Sequence, residues 1–314
     1  MPTETPAART TADPNLSPNP PAGPGGGKIA ATQLPRLDPA GGGPSRKGVK
    51  DQVIERFEQK YIIHPRLVPQ IRKYLKPFVI PDPNGKGEIP EYKVTTLQLD
   101  TDTMDLALAK ERKTGSRFKL RIRTYGYGDN APVFLELKRK VNGVIIKSRA
   151  KLNMKLWNDG MILRDPNSAP MLKTPVDNHN FLEFARIVHR INARPKMFIR
   201  YIRESYFGAN DDYARITFDR RVSYRPTRTW NLPGPELDDW KYWRPMDSQL
   251  GLNRPFAGYI FELKAMREAP EWMLELVERF NITTTGFCKY STAYRLESLF
   301  RGHSYSDQSE NTTY

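Results

Sequence analysis

Charged side chains two residues apart recur through the middle of this 314-residue chain, alternating with aliphatic ones. In Leu120-Arg121-Ile122-Arg123 the two arginines share one parity. Glu136, Lys138 and Lys140 alternate with Val133, Leu135 and Leu137, and Lys147, Arg149 and Lys151 with Ile146, Ser148, Ala150 and Leu152. Arg215, Thr217 and Asp219 alternate with Ala214, Ile216 and Phe218, and Glu262 and Lys264 with Phe261, Leu263 and Ala265. Neighbouring side chains of a strand point to opposite faces, so each run predicts a strand with one ionic and one apolar face. Arginine donates a planar fork to phosphate and lysine a mobile point charge, so the ionic faces suit phosphate chains. Glu-x-Lys occurs at Glu58 and Lys60, at Glu136 and Lys138, and at Glu262 and Lys264. Carboxylates among so many cations suit a divalent ion bridging phosphate oxygens. The sequence thus contains the parts for phosphoryl chemistry without a glycine-rich phosphate loop.

An antiparallel sheet packed on one side and wet on the other gives the same alternation. Arg and Lys dominate these faces, however, where a merely solvated face mixes signs. The alternative is a closed sheet with ionic residues inside and apolar residues outside under helices, and about eight strands leave room for a small ligand. Strands are expected over 92–99, 117–125, 132–140, 143–152, 197–205, 213–222 and 257–265, with a turn at Asn142-Gly143. Helical spacing marks 65–76, 179–192 and 270–280. The fold class is therefore α+β with an antiparallel sheet, either wet on one face or closed into an antiparallel β-barrel tunnel with flanking helices.

Residues 1–49 hold ten prolines and eight glycines and read as a disordered segment. Residues 50–302 are expected to form the ordered domain, and 303–314 a flexible polar tail. The net charge of +15 favours anionic partners without choosing among them. The single cysteine, Cys288, excludes an internal disulfide, and the four histidines lack metal-ligand spacing. No stretch has the roughly 20 apolar residues of a membrane span, and no signal peptide is visible, so a soluble cytoplasmic protein without membrane insertion is expected.

Seven segments then follow in order: FEQKY (57–61), FKLRIRTYG (118–126), FLELKRK (134–140), RYIRESY (200–206), YARITFD (213–219), YIFELK (259–264) and GFCKYSTA (286–293). Together they resemble the polyphosphate polymerase domain of the vacuolar transporter chaperone complex, a triphosphate tunnel metalloenzyme related to the CYTH phosphatases. The resemblance runs from about residue 52 to 302. It implies that Lys60, Arg121, Arg123, Lys138, Arg203, Arg215 and Lys289 are the catalytic tunnel cations, with Lys147, Lys264 and Ser291 contacting substrate. It further implies Glu262 at a Mn²⁺ or Mg²⁺ ion; Glu136 and Glu58 read either as second metal ligands or as counter-ions that orient the lysines. ATP and polyphosphate are the expected partners, with the γ-phosphate passing to the growing chain. A triphosphatase or a non-catalytic polyphosphate-binding protein is the alternative. No RNA-binding aromatic motif is present, so no specific nucleic acid is expected.

Thr292 departs from the yeast-type pattern, which has a second lysine there. The phosphate-sensing domain and membrane helices often joined to this domain have no counterpart, so sensor-driven regulation is not expected. His64 and His189 read as structural, Trp272 and its helical neighbours as core, and Cys288 as an unactivated thiol.

Overall fold

The computed structural model describes residues 56–141, 144–164, 171–210, 214–266 and 268–302. The expected segments at 1–49 and 303–314, and the Asn142-Gly143 turn, lie outside the described residues. The described strands make one antiparallel sheet of ten. They are β1 (Arg56–Ile63), β2 (Val79–Pro81), β3 (Glu91–Asp100), β4 (Ser116–Thr124), β5 (Pro132–Val141), β6 (Val144–Asn153), β7 (Arg194–Gly208), β8 (Arg215–Pro226), β9 (Arg244–Pro245) and β10 (Tyr259–Met266). The order is β1-β10-β8-β7-β3-β4-β5-β6, with β2 added to β7 and β9 to β8.

Helices cover the apolar face because the even–odd alternation leaves it nowhere else to go. The aliphatic side chains of β3, β4, β5 and β6, such as Leu97, Ile122, Leu135 and Ala150, pack under Phe181, Phe184 and Val188 of α4 (Pro175–Arg190). Phe218, Phe261 and Leu263 of β8 and β10 pack under α1 (Val68–Leu75), and under Met273 and Leu276 of α6. The α6 helix spans Glu271–Arg279. It buries Met273 and Leu276, whereas Leu274, expected in the core, is 55% exposed. Trp272, half-buried, packs against this core and stacks on Phe78. Arg72 of α1 forks onto the buried Glu204 of β7 at 2.6 and 2.8 Å, anchoring that helix to the sheet. The remaining helices are α2 (Asp105–Glu111), α3 (Gly160–Leu163), α5 (Gln249–Leu252) and α7 (Lys289–Phe300). Among the described residues no helix is long and apolar enough to cross a membrane.

The sheet is not closed into a barrel, which corrects the expectation of a hydrogen-bonded tunnel wall. Among the described strands β1 pairs only with β10 and β6 only with β5, and the other edge of β1 meets only the single Tyr61–Thr284 bridge. The two ends nevertheless approach, since Glu58 of β1 reaches Lys138 of β5 at 3.8 Å. That contact bypasses β6, so side chains rather than a backbone ladder bridge the gap. The sheet is therefore curled, with its ionic face on the concave side.

The helix α7 enters that concave side. Its Tyr290, Ala293, Tyr294 and Leu296 pack against Val94, Ile199, Tyr201 and Tyr224. A register shift between Arg200 and Ile202 coincides with Arg221 in the left-handed region (φ 50°), a bulge that reverses which parity of β8 faces inward. Beyond the bulge Val222 and Tyr224 replace the ionic residues and receive the helix.

Candidate functional site

Strand register assembles the ionic face row by row. Lys119 of β4, Lys138 of β5 and Lys147 of β6 stand side by side, and the next row is Arg121, Glu136 and Arg149. Across the sheet, Lys60, Glu262 and Thr217 form one row of β1, β10 and β8, and Glu58, Lys264 and Arg215 the next. Residues directly opposite on one face are in side-chain contact range, so the face has two electrostatic poles.

Around Glu136 the pole is made of guanidiniums. This carboxylate is 6% exposed and accepts from Arg121 Nε at 2.5 Å and from Arg149 at 2.7 and 3.1 Å, with Arg123 at 3.3 Å. Burial pushes its carboxyl up, but Arg121, Arg123 and Arg149 outweigh burial and bring it down to about 2. Both carboxylate oxygens are taken by arginines. Glu136, expected either as a second metal ligand or as a counter-ion, has the geometry of a counter-ion to these arginines.

The second pole joins β1 and β10. Glu262 is 5% exposed and holds Lys60 at 3.2 Å and Lys264 at 3.1 Å, while Lys60 also donates to Glu58 at 2.7 Å. Burial opposes ionisation of Glu262, yet Lys264, Lys60 and Arg203 hold its carboxyl well below the usual range. Glu58 and Glu262 bear on one another directly. Among the described residues no three His, Cys, Asp or Glu side chains converge as a metal cage. Two carboxylates with phosphate and water completing the shell is nonetheless how Mg²⁺ is commonly held at phosphoryl sites. The donor set at Glu58 and Glu262 fits that arrangement.

Between the poles Arg203 forks onto Asp219 at 2.7 and 2.8 Å, and Lys289 reaches the same carboxylate at 2.7 Å. Lys289 opens α7, so the positive end of that helix is aimed at the ionic face. Ser291, one residue further into the helix than Tyr290, is buried with its hydroxyl unpartnered, near the Cys288 thiol but outside hydrogen-bond geometry. Thr217 Oγ1 and Arg123 Nε are likewise buried without partners. Arg215 lies on the same face, tied at 3.0 Å to the buried Asp82.

The structure thus brings together Lys60, Arg121, Arg123, Lys138, Lys147, Arg203, Arg215, Glu262, Lys264, Lys289 and Ser291. The site list drawn from the sequence missed Lys119, Arg149 and Asp219, although each shares the parity of a named neighbour. Burial and the flanking lysines Lys147, Lys60 and Lys119 bring the Lys138 amine down to about 8 against the pull of Glu58. Cys288 also departs from the reading as an unactivated thiol. Burial pushes its thiol up, but Lys119 Nζ, 2.9 Å from Sγ, brings it down to about 6. His64 is structural, accepting from Arg66 N to cap a turn, and His189 meets Ile162 O at 2.5 Å.

A family model described as the VTC domain matches residues 55–297. The chain belongs to the VTC domain family. Its ionic face lies wholly inside the matched residues. This VTC domain is 29% identical over 99 residues to vacuolar transporter chaperone complex subunit 4 of Schizosaccharomyces pombe, a match covering 31% of this chain and 14% of that protein. The chain therefore spans only a small part of that relative. Among solved structures, a putative adenylate cyclase of Bacillus halodurans aligns over 74% of this VTC domain chain and 92% of its own, at 12% identity and a TM-score of 0.39. A protein of Pyrococcus horikoshii aligns over 72% and 86%, at 13% identity and a TM-score of 0.33.

Proposed function

We propose that this VTC domain is a metal-dependent phosphotransferase that lengthens polyphosphate at the expense of ATP. The observation that carries the proposal is the set of buried, unpartnered donors on the ionic face, Arg123 Nε, Thr217 Oγ1 and Ser291 Oγ. An unmade buried hydrogen bond costs about 1–3 kcal/mol. A phosphate chain lying along the face supplies acceptors to all three and neutralises the cations around them. In this reading the curled sheet acts as a tunnel wall and the Glu58–Lys138 contact bridges its seam.

A terminal phosphate oxygen of the chain attacks the γ-phosphorus of ATP. The bond from that phosphorus to the β,γ-bridging oxygen breaks, and ADP leaves with the electron pair. The attacking oxygen is already anionic at neutral pH, so no general base is required. Arg121, Arg123, Arg203, Lys60, Lys138 and Lys289 position both phosphates in line and spread the charge of the transferring group. Arg215, Lys147 and Lys264 extend the cationic surface on either side of this centre. Glu262 and Glu58 would hold Mn²⁺ or Mg²⁺, which when bound neutralises charge on the β- and γ-phosphate oxygens.

The test is incubation of the purified chain with ATP and Mn²⁺, following polyphosphate, ADP and free phosphate together. Polyphosphate appearing with matching ADP is expected. Free phosphate without chains means that water is the acceptor and the domain is a triphosphatase, and tight polyphosphate binding without turnover leaves a binding protein. Glu262→Gln should abolish turnover and weaken Mn²⁺ binding in a folded protein; retention of both overturns the metal assignment.

A further inference from the structure

Along the later half of α7, away from Lys289 and Ser291, lies a second basic cleft with a volume of about 850 Å³. It is walled by the start of β7, the end of β8, the turn after β3 and the later half of α7. Its charged lining is Arg194, Lys196, Arg228, Arg301, Asp102 and Glu297. Both carboxylates are already engaged. Asp102 takes Lys196 at 2.6 Å, while Glu297 takes Arg301 at 2.9 Å and also Arg244. Arg194 and Arg228 are exposed and, among the described residues, donate no hydrogen bond and make no ion pair, though both bear electrostatically on Asp102. Two open guanidinium forks in one concave space are a poor arrangement for an empty surface, because like charges repel. They suit an anion that offers each fork its own oxygens. The volume falls in the range of small-molecule sites. Arg301 caps the carbonyl end of α7 and offsets its negative dipole, so the helix end does not exclude an anion.

We propose that this cleft is an anion site separate from the ionic face, taking a small ligand with at least two phosphates. One phosphate sits on Arg194 and another on Arg228, with Lys196 and Arg301 closing the rim. Tyr294 and Ser298 of α7 form its floor, and the same helix carries Lys289 and Ser291 into the ionic face. The site is argued from its own residues and does not depend on the reaction proposed above.

The experiment is calorimetric titration of the full chain with sodium tripolyphosphate in metal-free buffer. Three proteins are compared: the parent, an Arg194→Gln/Arg228→Gln variant and an Arg121→Gln/Lys138→Gln variant. Two classes of site are expected in the parent. The first variant should lose one class, by roughly 100-fold in affinity if each guanidinium contributes about tenfold. The second variant should lose the other class only. An unchanged titration of the Arg194/Arg228 variant overturns the proposal, whatever the second variant does. Loss of neither class in the Arg121/Lys138 variant instead sinks the ionic-face reading and leaves the cleft standing. Both cleft arginines are exposed, so folding is not at stake, and thermal unfolding of the variants checks this. Arg194→Lys/Arg228→Lys should bind with intermediate affinity, since charge is kept and the fork lost; parent-like affinity there overturns the fork geometry. Fructose 1,6-bisphosphate in a parallel arm separates clustered phosphomonoesters from condensed phosphate as the source of the ligand. Competition by a short single-stranded oligonucleotide without any tripolyphosphate class overturns the small-ligand assignment.

Discussion

Replacing Glu136 by glutamine separates a counter-ion from a metal ligand. In the parent, one buried carboxylate faces Arg121, Arg123 and Arg149. Glutamine keeps the shape and one acceptor oxygen but leaves three guanidiniums facing each other, with Arg123 7% exposed. The carboxyl is lowered from the ordinary 4.5 to about 2, and each unit corresponds to about 1.4 kcal/mol, so the carboxylate contributes roughly 3 kcal/mol at neutral pH. The folded-state value lies below the unfolded one. The contribution is therefore complete above about pH 4.5 and lost as pH falls through about 2. Urea unfolding should place Glu136→Gln roughly 3 kcal/mol below the parent at pH 7, narrowing to roughly 1.4 kcal/mol at pH 3. A phosphate chain would replace the missing negative charge, so tripolyphosphate should stabilise the variant more than the parent. Mn²⁺ affinity should not change. Equal stability of the two proteins at pH 7, or a gap of the same size at pH 3, would refute the argument.

Three further outcomes follow from the same face. Tripolyphosphate affinity should fall as pH rises through about 8, where Lys138 loses its proton; in Lys138→Arg that limb should vanish up to pH 10 by calorimetry, and its persistence assigns the limb elsewhere. Cys288 should be alkylated by iodoacetamide with a rate midpoint near pH 6, and Lys119→Gln should move the midpoint toward the ordinary thiol range and slow the reaction at pH 7 several-fold; an unmoved midpoint refutes the role of Lys119. Thr217→Val removes a buried hydroxyl that has no partner, so the ligand-free protein should gain about 1 kcal/mol in urea unfolding while tripolyphosphate binds several-fold more weakly; loss of stability would show that the hydroxyl is already satisfied.

Strand identity and facing were legible because period-two alternation is local. The expected strand at 132–140 is β5 at Pro132–Val141, and the expected 117–125 is β4 at Ser116–Thr124. Arg121, Arg123, Glu136 and Lys138 share a face for that reason alone. Which strands are neighbours is not local, and the row of Lys119, Lys138 and Lys147 exists only through register. The helix α7 was hidden because Tyr290, Ser291, Thr292 and Tyr294 carry little helical propensity and its buried residues lie on more than one side. Read as a closing segment, it gave no hint that Lys289 would meet Asp219 across 70 positions of sequence. The curl of the sheet was also beyond alternation, which is the same for a flat, curled or closed sheet. The Glu58–Lys138 contact decides it.

The carboxylates explain how so cationic a face can fold without its ligand. Glu136 gathers three arginines, Asp219 takes Arg203 and Lys289, and Glu262 takes Lys60 and Lys264. A carboxylate and a phosphate edge present the same pair of oxygens to a guanidinium, so each of these residues occupies the role that a phosphate takes when it binds. Even with Glu58 on Lys60 and Lys138, these carboxylates do not satisfy every donor, and among the described residues of the face Arg123 Nε, Thr217 Oγ1 and Ser291 Oγ are left over. Had the face evolved only as a stable wall, a further acceptor beside Thr217 would be the more stable arrangement, since an unpartnered buried hydroxyl destabilises the fold. Retaining unpartnered donors between paired cations makes sense where an anion arrives from outside. Under the proposed function Glu136 and Asp219 would serve as exchangeable counter-ions, and the affinity for phosphate would be set by how readily Arg121, Arg203 and Lys289 swing from them to the ligand.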